Sequence, residues 1–282
     1  MSDNDARSAP HASSATPEVM DGIRSLHERI DELHRLIAQR LEAEGTEAGS
    51  WLHTRAQTVY RPAWRRKTQG EIRWPVAVIT AVGIALQMGV PEHLLIVSPA
   101  WIFPAAQGVL LVIIVAANPH RINRESKVLR SLSLVLAAMI SLANGYSVAR
   151  LCIGITQGTM GKSPSQLLTT GAFIWLTNIV VFGLWYWEFD RGGPVARALN
   201  LKNRYPDFQF PQMISPPEMV PPDWEPAFFD YLYLAFTNAT AFSPTDVMPM
   251  SRWAKIAMTV QSLISIVTVA LVVSRAVNIL PS

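Results

Sequence analysis

Cysteine is almost absent. The 282-residue chain has one, Cys152, inside an apolar run, which excludes an intrachain disulfide and a cysteine-based metal cluster. Charge is scarce too: 16% of residues carry it, and the formal net charge is only +3. The basic residues gather beside apolar runs, where they act as topology signals and lipid contacts, so no nucleic-acid surface is expected. The first 70 residues hold no apolar run of the signal-peptide kind, and no cleaved leader is expected. No His/Cys/Asp cluster, nucleophile elbow or phosphate-binding loop occurs, so neither an enzyme nor a cofactor nor a bound metal is expected.

Long hydrophobic runs are what the chain has in quantity. Half of it is hydrophobic, with apolar stretches at 74–90, 94–118, 131–157, 169–188 and 251–279. This predicts an all-α polytopic membrane protein, integral to a bilayer, with a bacterial inner (plasma) membrane as the expected location. Pro91 closes the first stretch. Pro99 and Pro104 predict that the second is kinked or partly re-entrant. The basic 120–130 junction reads as cytoplasmic, and the 156–166 loop, with only Lys162, as external. Trp175 on one side and Trp185, Tyr186 and Trp187 on the other predict aromatic belts on the fourth stretch.

Ahead of the spans, residues 1–17 are polar and predicted disordered. In 18–43, Val19, Ile23, Leu26, Ile30, Leu33 and Ile37 recur by threes and fours. That is either a short cytoplasmic coiled-coil seam or an amphipathic surface helix. His27 and His34 fall at e positions, read as solvated face, with a metal or pH role as the sharper alternative. Residues 44–73 form a linker ending in Arg61, Arg65, Arg66, Lys67 and Arg73, interleaved with Tyr60, Trp64 and Trp74, an interfacial anchor.

Two intramembrane polar features stand out. Arg150 in the third span is costly in lipid; Glu92 is a candidate partner, and snorkelling of Arg150 the alternative. In the last span Gln261, Ser265, Thr268 and Arg275 recur on one helical stripe. They line a water-filled path or make interhelical hydrogen bonds.

The stretch 229–279 holds a short aromatic helix, a polar proline-bounded turn and a long apolar helix. Within it, Asn238-Ala239-Thr240-Ala241-Phe242-Ser243-Pro244-Thr245-Asp246-Val247-Met248-Pro249 resembles, in ungapped register, the pore helix and filter of the potassium-channel superfamily. Ala239, Thr240, Asp246, Pro249, Trp253 and Lys255 fall on matching positions. Trp187-Glu188-Phe189-Asp190-Arg191-Gly192-Gly193-Pro194 is similar to the end of that family's outer helix. The resemblance implies a pore domain over 169–280: outer helix 169–188, proline-rich connection 191–226, pore helix and loop 227–250, and inner helix 251–279. It also implies a homotetramer passing an inorganic cation.

The filter itself departs from the family. Where the family has two glycines, Ala241, Phe242, Ser243, Pro244 and Thr245 stand. Pro244 fixes φ near −65°, so a ladder of carbonyls aimed at a potassium ion is not expected. The candidate pore groups are instead the hydroxyls of Thr240, Ser243 and Thr245 and the carboxylate of Asp246. Ser265 stands where the family's inner helix usually has a hinge glycine. The alternative function is a non-conducting membrane scaffold or sensor that keeps the pore-loop fold and binds a partner through its N-terminal helix.

Topology cues conflict. Charge counting puts the N-terminus inside, and five spans then place the Asp246 loop on the cytoplasmic side. The resemblance requires the opposite, which an even span count would supply if part of 74–118 were re-entrant; an inverted loop is the other possibility. The channel topology is the working expectation.

Overall fold

Prolines and hydroxyl caps set the helix ends. A computed structural model describes residues 62–119, 122, 126–160, 163–200, 205–240 and 245–279, together with Arg29, Glu32, Leu33, Arg35 and Leu36. Those five are helical and exposed and belong to a unit, Met1–Arg61, separate from the compact unit Pro62–Ser282. The expected 1–17 tail, His27, His34, the rest of the 18–43 heptads, the 44–61 part of the linker and Ala241 to Pro244 lie outside the described residues.

The compact unit is mostly helical: α1 (Arg73–Met88), α2 (Ile102–Ala117), α3 (Lys127–Thr156), α4 (Pro164–Phe189), α5 (Pro194–Ala198), α6 (Phe228–Thr240) and α7 (Arg252–Asn278). The hydroxyl of Ser126 caps α3 by accepting from the Leu129 amide, and that of Ser251 caps α7 by accepting from Ala254. Both satisfy a first-turn donor that the helix itself cannot. Pro164 starts α4 at a position where no amide hydrogen is needed.

Among the described residues three helices are long and apolar enough to cross a membrane: Lys127–Thr156, Pro164–Gly192 (α4 and the turn after it) and Arg252–Asn278. The helices α1 and α2 are apolar but have only 16 residues each, about 24 Å at 1.5 Å per residue. The second expected span is therefore corrected at its start. Residues 95–101 are not helical, Leu94 ends a short 3-10 turn from Glu92, and α2 begins at Ile102. The proline at 99 disfavours helix for the residue before it, and the Leu94 carbonyl accepts from the Ser147 hydroxyl at 2.9 Å instead. Pro104 falls in the first turn of α2, where its missing amide costs nothing, and produces no kink.

These five helices alternate in direction. The start of α1, the end of α2, the start of α3 and the end of α4 line one common cavity through Arg73, Asn118, Lys127 and Glu188. At the opposite end, Pro91, Thr159 and Gln166 share another. The alternation follows through α7, whose Trp253 packs on Phe189 and whose Arg275 reaches the Met160 carbonyl. α4 is the hub, packing against α1, α3, α6 and α7. Its Gly183 lets the backbone of α6 come close: a Cβ there would lie 3.3 Å from Leu232 Cα. Such small residues allow helices to approach where lipid offers no hydrophobic drive to bring them together.

The described parts of the proline-rich connection contribute core. Besides α5 it holds β1 (Phe208–Gln209), which pairs antiparallel with β2 (Met248–Pro249), Phe208 opposite Pro249. Phe208 is fully buried, its ring 5.0 Å from Tyr186 and 5.4 Å from Trp253. Phe210 packs edge-on against Tyr231 at 5.2 Å. Together these rings join the connection to α4, α6 and α7 in one hydrophobic core.

Candidate functional site

The site forms where α4 ends. Its last residues run into Asp190-Arg191-Gly192-Gly193, and three of them take positive φ: Arg191 52°, Gly192 90° and Gly193 99°. Glycine adopts that region without steric cost, so the chain reverses here within one turn. The reversal buries Asp190 and Arg191. Asp190 accepts from the Tyr231 hydroxyl at 2.6 Å and from the Asp207 amide at 2.8 Å. The Asp207 carboxylate accepts in turn from the Arg191 amide at 2.9 Å and the Trp253 indole at 2.7 Å.

Arg197 is the centre of the second half of this junction. Its guanidinium donates to the Trp187 carbonyl at 2.6 Å, to the Asp190 carbonyl at 3.1 Å and to Glu71 at 3.0 Å. It also lies 4.9 Å from the Tyr231 ring centre. Burial works against its charge, but Tyr231, Glu71 and Asp190 outweigh that, and its pKa is raised. Glu71 also accepts from the Trp187 indole and from the Phe228 amide at the start of α6. Arg191 donates to the Trp64 carbonyl at 2.6 Å. Five stretches of chain thus meet in a buried network of charge-assisted hydrogen bonds, roughly twice as strong as neutral ones.

Deeper in, a second network joins α6 to α4 and α7. Gln261 Oε1 accepts from the Tyr186 hydroxyl at 2.6 Å and from Asn238 Nδ2 at 2.8 Å, while Gln261 Nε2 donates to the Ala235 carbonyl at 2.8 Å. One turn on, the Ser265 hydroxyl donates to the Ala239 carbonyl at 2.6 Å and accepts from the Trp175 indole at 2.7 Å. Of the stripe read from sequence, Gln261, Ser265 and Thr268 are all buried. Its polar atoms are spent on protein: Thr268 donates to the Ile264 carbonyl of its own helix. Arg275 stands apart, donating to the Met160 carbonyl at 3.3 Å.

The filter candidates that are described lie at the rim. Thr240, the last residue of α6, is exposed and donates to the Phe236 carbonyl. Thr245 donates to the Val247 carbonyl, and Asp246 is exposed. Beside the end of α6 an open groove of about 880 Å³ runs along α7, lined by Thr240, Lys255, Thr259, Ser262, Ser265 and Val269. Arg150 is exposed on α3. The proposed Glu92 partner is corrected: Glu92 accepts from the Ala100 amide at 3.4 Å, and among the described residues no ion pair joins it to Arg150. Proline at 91 and 99 folds the 92–100 segment back on itself, and the carboxylate serves that turn. Among the described residues no group of three or more His, Cys, Asp or Glu is placed to hold a metal.

Compared with protein-family models, curated proteins and solved structures, the chain matches none. The function therefore has to be argued from the site.

Four of its residues were not read as site residues from sequence, Glu71, Arg197, Asp207 and Tyr231, while Tyr186 was read only as part of an aromatic belt and Asn238 only as part of the pore-helix resemblance. Glu71 carried one usable signal, an acid placed just before an apolar helix amid basic neighbours. Arg197 and Asp207 carried none, since nothing local tells a buried charge from a solvated one in a proline-rich connection.

Proposed function

We propose that the chain is a pore-loop membrane protein of channel-like architecture, working as a homo-oligomer (a tetramer by its resemblance) and passing a small inorganic cation. The path of α6 carries this reading. α6 starts at the charged junction, where the Phe228 amide meets Glu71, and Asn238 in its last turn reaches Met258 and Gln261 of α7. The chain then comes back, because β2 pairs with β1 and the Met250 amide bonds the Asp207 carbonyl at 2.7 Å. A short helix that enters and a segment that returns to the same end are what a re-entrant loop requires, with its irregular backbone sheltered by protein.

The open groove supports the oligomer. Its hydroxyls lie on the flank of a single chain and become a closed lumen only when copies surround them. α7 also leaves Ile256, Leu263 and Val267 exposed, an apolar surface for a neighbour. The end that α6 enters carries Arg66, bonded to Pro222, and Lys127 and Arg130 in the shared cavity. By the positive-inside rule this end faces the cytoplasm, so the loop opens inward, opposite to the potassium-channel arrangement. A phosphatase fused after Ser282 is then expected to be active and a fluorescent protein dark.

One observation favours the non-conducting scaffold instead: Gln261 and Ser265 use their polar atoms within the protein, and among the described residues the groove's one charged lining residue is Lys255. Flux separates the two. Purified protein in liposomes is expected to raise potassium or sodium flux above protein-free vesicles, and Asp246→Asn to change conductance or selectivity severalfold. Absence of flux for any cation from folded protein rejects conduction. Independently, a Leu263→Cys variant in a Cys152→Ala background is expected to cross-link between copies; a purely monomeric product counts against the oligomer.

A further inference from the structure

We propose that the cavity at the junction end binds the phosphodiester headgroup of an anionic glycerophospholipid. This cavity, about 210 Å³, lies between the start of α1, the first turn of α3, the end of α4 and the Gly192–Pro194 turn. A water occupies about 30 Å³ in the liquid, so the space suits a phosphate and a short polar headgroup.

Among the described residues its lining carries three cations, Arg73, Lys127 and Arg130, against one acid, Glu188, an excess of 3 − 1 = +2. Arg73 is only 8% exposed, and its Nε has no hydrogen-bond partner among the described residues. A buried guanidinium N–H without an acceptor is costly, and the Arg73 side chain that carries it is part of the cavity wall. The first turn of the 30-residue helix α3 borders the same space. Its positive dipole end favours an anion, although Ser126 already takes the Leu129 amide. Two independent features therefore call for the same ligand charge.

Glu188 does not cancel this. The acid interacts with Arg197, Arg130 and Arg73 at once. Gly193 keeps this corner tight: a Cβ there would meet the Glu188 carbonyl at 3.0 Å and Arg130 Cζ at 3.8 Å. The carboxylate is left as an acceptor for a headgroup hydroxyl, which a glycerol headgroup has and a choline lacks.

A lipid is favoured over a soluble phosphate ester by what continues from the cavity. A second, apolar cleft of about 40 Å³ shares Arg73, Ser133, Trp187 and Glu188 with it and lies against Val76, Leu111 and Leu136 between the helices, so it meets only the root of an acyl chain. A polar head beside an apolar cleft fits an amphiphile held at the bilayer surface, the pattern of basic pockets between membrane helices.

The test uses full-length protein in phosphatidylcholine nanodiscs or detergent. Adding phosphatidylglycerol is expected to raise the melting temperature, and native mass spectrometry to show it retained. Lys127 and Arg130 are exposed, so Lys127→Gln/Arg130→Gln is expected to fold normally and to bind about tenfold or more weakly, given the strength of single basic residues at anionic surfaces. Arg73→Gln is expected to lose retention as well. Equal retention of phosphatidylcholine, or unchanged binding in the double variant, overturns the proposal. Stabilisation by glycerol 3-phosphate or inorganic phosphate as strong as by phosphatidylglycerol overturns the lipid assignment in favour of a soluble anion.

Discussion

Replacing Arg197 with Met is expected to cost about 3–5 kcal/mol of stability, the range for breaking a buried ion pair from one side. The Glu71 side chain is only 10% exposed, and without the guanidinium it keeps two neutral donors, the Trp187 indole and the Phe228 amide. A carboxylate so placed bears a desolvation cost that those bonds only partly offset. At roughly 2–4 °C per kcal/mol for a chain of this class, the melting temperature falls by on the order of 10 °C. The pair Glu71→Gln/Arg197→Met is expected to be milder than the two single losses summed, because neither charge is then left alone. Additive losses in that cycle, or an Arg197→Met penalty below about 1 kcal/mol, would show that the pair behaves as an exposed one.

The second large effect is expected at Gln261. Gln261→Leu keeps the volume of the side chain but leaves the Tyr186 hydroxyl and Asn238 Nδ2 without their shared acceptor, at about 2–3 kcal/mol. In its protonated form Gln261→Glu keeps an acceptor for both and an O–H that can replace the donation to Ala235, so it is expected to be less harmful. A melting curve ranks the three proteins: wild type above Glu above Leu. Since these bonds hold α6 against α7, proteolysis between residues 240 and 250 is expected to speed up in the same order. If Leu proves as stable as wild type, the buried network is dispensable and α6 is held by its aromatic packing alone.

How much of this could be read from the chain divides along physical lines. Length and apolarity announced α3, α4 and α7 because a membrane span needs a continuous run, and Ser126 and Ser251 sit at their starts as caps. The start of α2 was hidden by the same rule: residues 94–103 are mostly apolar, and hydropathy does not tell a buried turn from a helix. At the site, the spacing of Gln261, Ser265 and Thr268 put them on one face, but not what that face meets. Asn238, Tyr186 and Trp175 reach it from 23 to 90 residues away, a distance over which local pattern carries no information. Phe208 and Phe210 were concealed by the prolines around them, which suggested a surface connection and left two core residues unnoticed.

The junction also sets a timetable. Glu71 and Arg197 are 126 residues apart in the chain, and Glu71 and Phe228 are 157 apart. At a synthesis rate of roughly 5–20 residues per second, Glu71 waits about 6–25 s for Arg197 to be made, and α6 comes later still. Through that interval α1 to α4 have only one another and the surrounding lipid to hold them, with an acid at the head of α1 that has not met its partner. The last helix to emerge, α7, brings Trp253 to Asp207 and closes the latch, so a ribosome that stalls before residue 253 leaves a bundle inserted but not locked.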